Sequence, residues 1–276
     1  MTEIQIIWLS LLQGITEFLP VSSSGHLILF SKFTPFPDQG AAMDVALHIG
    51  SIFAVLIYFA PTLWEMLKDL FKAKFLPNTK IEGVQLFYLL LVATLPVLFC
   101  GMMLKYFGTS WLRSTKLIGW NILIYALILW LMDTWSVAVR KIRNLEYKDA
   151  VFIGLAQCLA LLPGTSRSGI TITMCRFLGM ERREAAKFSM LLAIPAILAA
   201  GTLAGIELWQ NGDIAQITNA CNAVGYSFIF SLGAIFILMQ WLKKWSFLPF
   251  VIYRIALGTL LLLDAYGIYD IDTLLN

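Results

Sequence analysis

A carboxylate, three consecutive hydroxyls and an imidazole fall within one short stretch, Gln13 to Ile28, which reads QGITEFLPVSSSGHLI. Gln13 and Glu17 are four residues apart, so both project from one face of a helix. Pro20 disfavours the helical region for Leu19 and is expected to end that helix. Ser22, Ser23 and Ser24 then form a turn, and one of them caps a second helix that starts near Gly25 or His26. The N-terminus of such a helix is an anion site, because its first amides are unpaired and its dipole end is positive. A hydroxyl that could act as nucleophile (Ser23), a carboxylate (Glu17) and an imidazole (His26) stand around it.

A second stretch, Leu161 to Thr171, reads LLPGTSRSGIT. Pro163-Gly164 is expected to end one half-helix, and another restarts near Gly169. That puts Arg167 at the mouth of a second helix N-terminus. A guanidinium binds phosphate oxygens in bidentate fashion and keeps its charge. Thr165, Ser166, Ser168 and Thr171 add polar groups around it, and Gly169 completes the turn. Arg167 either binds phosphate or pairs with a carboxylate such as Glu17. Three further residues stay open at this level. Asp44 opens the first span on the side of the first hairpin. His48 is either an interior hydrogen-bonded histidine or part of the site. Arg254 either joins the site or snorkels to the interface. The inventory suits a phosphate ester or a diphosphate better than a sugar, an amine or a metal ion alone. A carboxylate facing bound phosphates recruits Mg²⁺ or Ca²⁺ through oxygen ligands. No HExxH or Walker A signature is present.

The elements that must hold these groups are membrane helices. Of 276 residues, 59% are hydrophobic and only 13% charged, about half the charged fraction of a soluble domain; mean hydropathy is +0.78. Six segments reach the roughly 20 apolar residues that cross a bilayer, near 44–65, 84–106, 117–136, 186–208, 222–242 and 248–270. Residues 4–32 and 149–178 are broken by Pro, Gly and Ser into halves too short to span. They are expected as re-entrant helix–loop–helix hairpins, and non-helical backbone at membrane depth lines a cavity or is buried in protein. The expected fold is an all-α polytopic membrane protein, one integral domain over residues 1–276. Basic residues orient it: the 66–83 loop, the 140–148 and 176–187 segments and Lys243-Lys244 lie inside, with Lys32, Lys105, Arg113 and Lys116 outside. Both termini then lie outside, and the two hairpins enter from opposite faces. This is an inverted-topology repeat, with halves at about 1–136 and 149–270, which places a site near the midplane between them. The first apolar run holds Glu3 and lacks a basic n-region, so no cleavable signal is expected. Cys100, Cys158, Cys175 and Cys221 have no metal-ligand spacing.

The two motifs, Q-x3-E-F-L-P-V-S-S-S-G-H and P-G-T-S-R-S-G-x-T, resemble the signatures of the undecaprenyl-diphosphate phosphatases of the bacitracin-resistance type. The likeness extends to FSMLLAIP at 188–195 and FLPFVIYR at 247–254. It implies hydrolysis of undecaprenyl diphosphate to the monophosphate and phosphate, which recycles the carrier lipid of cell-wall synthesis. It also implies a bacterial inner-membrane protein with its site open to the periplasm and a divalent cation, Mg²⁺ or Ca²⁺. Gln13 and Glu17 match positions implicated in metal and diphosphate handling, Ser23 a proposed nucleophile, His26 the adjacent histidine and Arg167 the phosphate-binding arginine. Gln13 stands where many members have glutamate. Ser23, His26 and an activated water all remain candidate attacking groups. The rival class is a polyprenyl-phosphate transporter or flippase, since inverted repeats with broken helices are a transporter design. A membrane setting and a lipid substrate are expected, with no nucleic-acid partner; a homodimer is plausible.

Overall fold

In a computed structural model the described residues are 1–107, 114–211 and 214–269. They form eleven α-helices, and among them there is no β-strand. The first broken region folds as α1 (Glu3–Thr16) and α2 (Ser23–Phe33), the second as α7 (Tyr147–Cys158) and α8 (Arg167–Phe177). Between them come α3 (Gly40–Tyr58), α4 (Ala60–Lys72), α5 (Glu82–Phe107) and α6 (Thr115–Trp135). The second half continues with α9 (Arg182–Asn211), α10 (Ile214–Trp241) and α11 (Leu248–Ala265). Helices α3, α5, α6, α10 and α11 are long and apolar enough to cross a bilayer, and α9 occupies the sixth expected span. Side chains of residues 105–107, 200–211 and 214–215 lie outside the described set, as does Arg113 altogether, so the outside placement of Lys105 and Arg113 is not described.

Two boundaries differ from the sequence reading. The first span ends at Tyr58, and the chain turns at Phe59 into the separate helix α4, which carries Pro61 in its first turn. A proline there lacks only an amide that would be unpaired anyway. With Glu65, Lys68, Asp69 and Lys72 it is amphipathic, suited to a surface. The hairpin helices also stop before their prolines, α1 at Thr16 and α7 at Cys158, the latter followed by a single 3-10 turn over Leu159–Leu161. Pro20 and Pro163 therefore shape the turns rather than the helix ends.

The halves interlock. Helix α1 packs on α10 of the other half, and α7 packs on α5. Helix α3 also lies on α10, and α9 lies on α5, while α3 meets α9 and α6 meets α11. Exchanging the halves maps each of these pairs onto another or onto itself. Small residues permit the close approaches: a Cβ at Gly14 would stand 2.5 Å from Phe230 Cβ, and one at Gly154 would stand 2.6 Å from the Ala93 carbonyl. Gly50 lets α3 and α10 touch, since a Cβ there would meet Val224 O at 2.3 Å. Such contacts drive helix association where lipid is as apolar as leucine. Phe53, Leu95, Phe99, Phe152, Ile229 and Phe236 stay exposed, as surfaces facing lipid would.

Away from the hairpin turns an ionic knot joins four helices. Asp133 on α6 accepts from Arg176 Nε (2.8 Å) on α8 and Arg182 Nε (2.9 Å) on α9, and its Oδ2 faces the Phe247 amide before α11. Arg176, counted above among the basic residues on the inside, is a fully buried structural group that also donates to Met180 O. Arg140 pairs with Asp149 nearby.

Candidate functional site

The two hairpin turns share one capping geometry. Ser22 caps α2 and Ser166 caps α8; both adopt left-handed backbone, φ 79° and 73°, which a residue with a Cβ rarely takes. The Ser22 hydroxyl accepts from the Gly25 amide (3.3 Å), and the Ser166 hydroxyl accepts from the Gly169 amide (3.0 Å). Ser24 and Ser168 each approach the capping hydroxyl of their own turn, at 3.5 and 3.2 Å. One spacing relates Ser22 to Ser166, Gly25 to Gly169 and, upstream, Gln13 to Gln157. The serine caps, not the prolines, set the register of the repeat. Two strained residues in matching places are of the kind retained where a site must be preorganised.

In the first turn Glu17 is the C-cap of α1, its amide donating to Gln13 O (2.9 Å). Its side chain is buried and fully engaged. Ser23 Oγ donates to Glu17 Oε2 at 2.6 Å, and Gln13 Nε2 donates to the same oxygen at 3.2 Å. Arg167 Nη2 donates to Oε1 at 2.9 Å, while its Nη1 is held by Ser189 O at 3.1 Å. His48 Nε2 stands 3.4 Å from Glu17 Oε2. Its other ring nitrogen lies 2.6 Å from Asp44 O, a pure acceptor, so Nδ1 carries the proton and Nε2 faces the carboxylate. A hydroxyl, a carboxylate, a guanidinium and an imidazole from both halves therefore meet at one point.

They open on a cavity of about 340 Å³ lined by Ser22, Ser23, Ser24, Glu17, Asp44, His48, Gln157, Ser166 and Arg167, with Val45, Val97, Leu161 and Ile197 as an apolar wall. The first residues of α2 and α8 both line it, so two helix N-termini point positive ends at one volume. The polar floor and apolar wall fit an amphiphile that carries an anionic head.

The remaining predicted residues stand behind this surface. Ser168 Oγ donates to Leu19 O (2.9 Å), tying one turn to the other. Thr171 Oγ1 donates to Arg167 O (2.8 Å) and meets Ser189 Oγ (2.7 Å), bracing the arginine from below. Thr165 is fully buried, with no hydrogen-bond partner at Oγ1. Gly25 and Gly169 serve their caps, and a Cβ at Gly169 would stand 2.9 Å from Arg254 Nη1. His26 is the main departure: expected beside Ser23 and Glu17, it turns away. Its Nδ1 lies 2.7 Å from Ser22 O and its Nε2 2.6 Å from the Tyr253 hydroxyl. It lines a different, apolar cavity of about 410 Å³ with Trp8, Leu12, Phe30 and Phe250. Its bonds to Ser22 O and to Tyr253 on α11 hold it outside the first cavity, and His48 on α3 supplies the imidazole there instead. Asp44 and His48 are four residues apart, like Gln13 and Glu17, and that spacing was the available signal. Gln157 was legible only as a marker of the repeat. Arg254 does not snorkel; it is fully buried beneath both turns.

No group of three or more His, Cys, Asp or Glu among the described residues forms a metal cage. Oxygens that suit a hard cation include the Glu17 carboxylate and the amide oxygen of Gln13, which is buried without a hydrogen-bond partner; Gln157 Oε1 is in the same condition.

Comparison with known proteins agrees with this chemistry. The family model described as bacitracin resistance protein BacA matches residues 6–260. The chain is 42% identical over 271 residues to an undecaprenyl-diphosphatase of Roseobacter denitrificans, covering 97% of this chain and 100% of the relative. It is 43% identical over 263 residues to that of Jannaschia sp., covering 94% and 97%, and 39% identical over 262 residues to that of Alteromonas mediterranea, covering 95% and 98%.

Proposed function

This chain belongs to the bacitracin resistance protein BacA family, and from that premise we propose that it is an undecaprenyl-diphosphate phosphatase, a hydrolase that releases the terminal phosphate of the polyprenyl diphosphate and leaves the monophosphate. The single observation that carries the reading is the chain of contacts Ser23–Glu17–Arg167: a hydroxyl 2.6 Å from a carboxylate whose other oxygen holds a guanidinium 2.9 Å away. Transport alone needs no hydroxyl joined to a base beside an anion site.

The head group enters the cavity and the prenyl tail leaves along its apolar wall. Phosphate oxygens meet the N-termini of α2 and α8 and draw Arg167 partly from Glu17, freeing that carboxylate to act as a base. Ser23 Oγ attacks the terminal phosphorus, its proton passes to Glu17, and the bond to the bridging oxygen breaks as the polyprenyl monophosphate leaves. Glu17 passes that proton to the departing monophosphate, then takes one from the water that attacks the serine phosphate and returns it to Ser23 Oγ as inorganic phosphate departs. His48, 3.4 Å from Glu17 Oε2, supports the protonated state. Direct attack by water activated by Glu17 is the other version; attack by His26 is disfavoured by its place outside the cavity. Most of the rate enhancement in phosphoryl transfer comes from positioning and charge neutralisation.

Mg²⁺ or Ca²⁺ belongs to the proposal. Glu17 and Gln13 would hold it, the unpartnered Gln13 oxygen supports this, and when bound it would neutralise diphosphate charge. Gln13 is neutral, so the cation's remaining ligands are substrate oxygens and water. The setting is a bacterial inner membrane with the cavity open to the outer face and both termini outside, supported by the distribution of basic residues. A homodimer is compatible with the exposed apolar surface.

The test is phosphate release from a polyprenyl diphosphate by the purified chain, with Mg²⁺ and then with EDTA, beside Glu17→Ala and Arg167→Ala. Metal-dependent release that collapses in both variants supports the reading. Specific lipid binding without release by well-folded protein would instead favour a polyprenyl-phosphate flippase.

A further inference from the structure

Arg254 carries its charge at the centre of the fold, beneath both hairpin turns. It is fully buried, and among the described residues no carboxylate pairs with it. Its donors go to carbonyl oxygens instead. Nη1 reaches Pro20 O (3.1 Å) in the first hairpin turn, and Nη2 reaches Gly164 O (3.0 Å) and Thr165 O (3.0 Å) in the second. Nε donates to Ile122 O (3.1 Å) and Nη2 to Asn121 O (3.4 Å), both on α6. One guanidinium thus fixes both turns against a single wall, and Asn121 Nδ2 adds a bond to Pro163 O (2.8 Å). Carbonyls in a buried turn need such donors, because no water reaches them.

The preceding residue acts on the same turn. The Tyr253 hydroxyl donates to His26 Nε2 (2.6 Å), and His26 Nδ1–H donates to Ser22 O (2.7 Å). The two rings stack with centroids 5.7 Å apart. Ser22 is the left-handed residue immediately before Ser23, so holding its carbonyl fixes the peptide plane that carries Ser23. Helix α11 is itself fixed against α6 by close contact, a Cβ at Gly258 falling 3.1 Å from Gly119 O.

We propose that Tyr253 and Arg254 of α11 are positioning residues for the phosphatase site: Arg254 through the carbonyls of both turns, and Tyr253 through His26 and the Ser22 carbonyl, hold Ser23 and Arg167 facing one cavity. Neither residue lines that cavity. The fork is essential, because a lysine offers one point of donation and cannot reach Pro20, Gly164 and the α6 carbonyls together. His26 then has a role without entering the cavity. The inference rests on the phosphatase reading for its rates, though not for its binding readout.

The experiment uses the full chain in detergent with Tyr253→Phe, Arg254→Lys and Arg254→Met. Folded protein is quantified for each by thermal melting and size-exclusion chromatography. Phosphate release is then expressed per folded molecule, and affinity for methylenediphosphonate, a diphosphate that cannot be hydrolysed, is measured by calorimetry. Tyr253→Phe is expected to fold as wild type with kcat lowered about tenfold, and Arg254→Lys to fold with kcat lowered about a hundredfold, the scale of a small misplacement of reacting groups. Diphosphonate affinity falls about tenfold in Arg254→Lys, and Arg254→Met is worse in both readouts. Wild-type turnover and affinity per folded molecule in Tyr253→Phe and Arg254→Lys would overturn the inference. So would losses that only track the fraction of folded protein, since those describe a structural residue. A wild type that binds the diphosphonate but releases no phosphate would sink the phosphatase reading instead, leaving positioning legible in the affinities.

Discussion

At the scale of single residues the site rests on one carboxylate that serves two masters. Glu17 accepts from Ser23 on one oxygen and from Arg167 on the other. A buried ion pair of this kind contributes little net stability, because desolvating both charges offsets their attraction. In the proposed reaction its value is functional, since an incoming diphosphate would offer Arg167 a better partner and release the base. Glu17→Gln should therefore keep the fold and lose the chemistry: kcat down by about a thousandfold, with the melting temperature within a few degrees of wild type. Ser23→Ala separates the two versions of the attack. If serine is the nucleophile, phosphate release falls by at least about a hundredfold; near-normal turnover would leave water, activated by Glu17, as the attacking group. Steady-state phosphate release at saturating substrate checks both.

At the scale of elements, each turn depends on backbone that only certain residues allow. Gly164 has φ +91°, and a Cβ there would stand 2.6 Å from the Ile118 carbonyl on α6. Gly164→Ala should lower stability by about 2–4 kcal/mol, from left-handed strain and a clash with rigid backbone, and should lose activity with it. Gly225, in α10, has nothing within 4 Å of its would-be Cβ; Gly225→Ala should be neutral or stabilise by up to about 1 kcal/mol. Thermal melts of the pair in one detergent give the comparison. Much of this architecture was legible in the letters. Proline and Ser-Gly runs inside apolar stretches located both hairpins, and Glu17, Ser23 and Arg167, named from residue type and spacing, do meet. What the letters did not carry was direction. Whether position 26 faces the cavity depends on how its ring is held, which the Tyr253 contact decides from across the fold, and whether position 48 does depends on where α3 packs beside the first turn. The same holds for Arg254: one basic residue early in a span reads equally as a snorkelling side chain or a buried clamp until its partners in distant turns are known. The end of the first span at Tyr58 was missed because the apolar run continues through Phe59-Ala60-Pro61, and only proline geometry marks the bend.

At the scale of the whole molecule, the site exists only because two halves interlock, so the folding determinants should lie apart from the chemistry. The cavity is assembled by the turns, where strained serines and a buried, carboxylate-free cation tax stability. The opposite requirement is met by the knot in which Asp133 on α6 holds Arg176 on α8 and Arg182 on α9. None of these three residues lines the cavity. Removing the acid leaves Arg176 fully buried beside a like charge and facing only carbonyls, a change that typically costs about 3–5 kcal/mol. Asp133→Ala is therefore expected to lower the melting temperature markedly and reduce the yield of folded protein. Those molecules that do fold should turn over within about twofold of wild type, because the α2 and α8 N-termini are held by Arg254 and by Ser168–Leu19 rather than by Asp133. Asp133→Asn, which keeps the acceptor oxygen but not the charge, should fall between. The measurement is phosphate release normalised to folded protein, beside the thermal melt. A loss of turnover per folded molecule as large as that in Arg254→Lys would mean that the knot transmits its geometry along α8 to Arg167, and that framework and site are one mechanical unit rather than two.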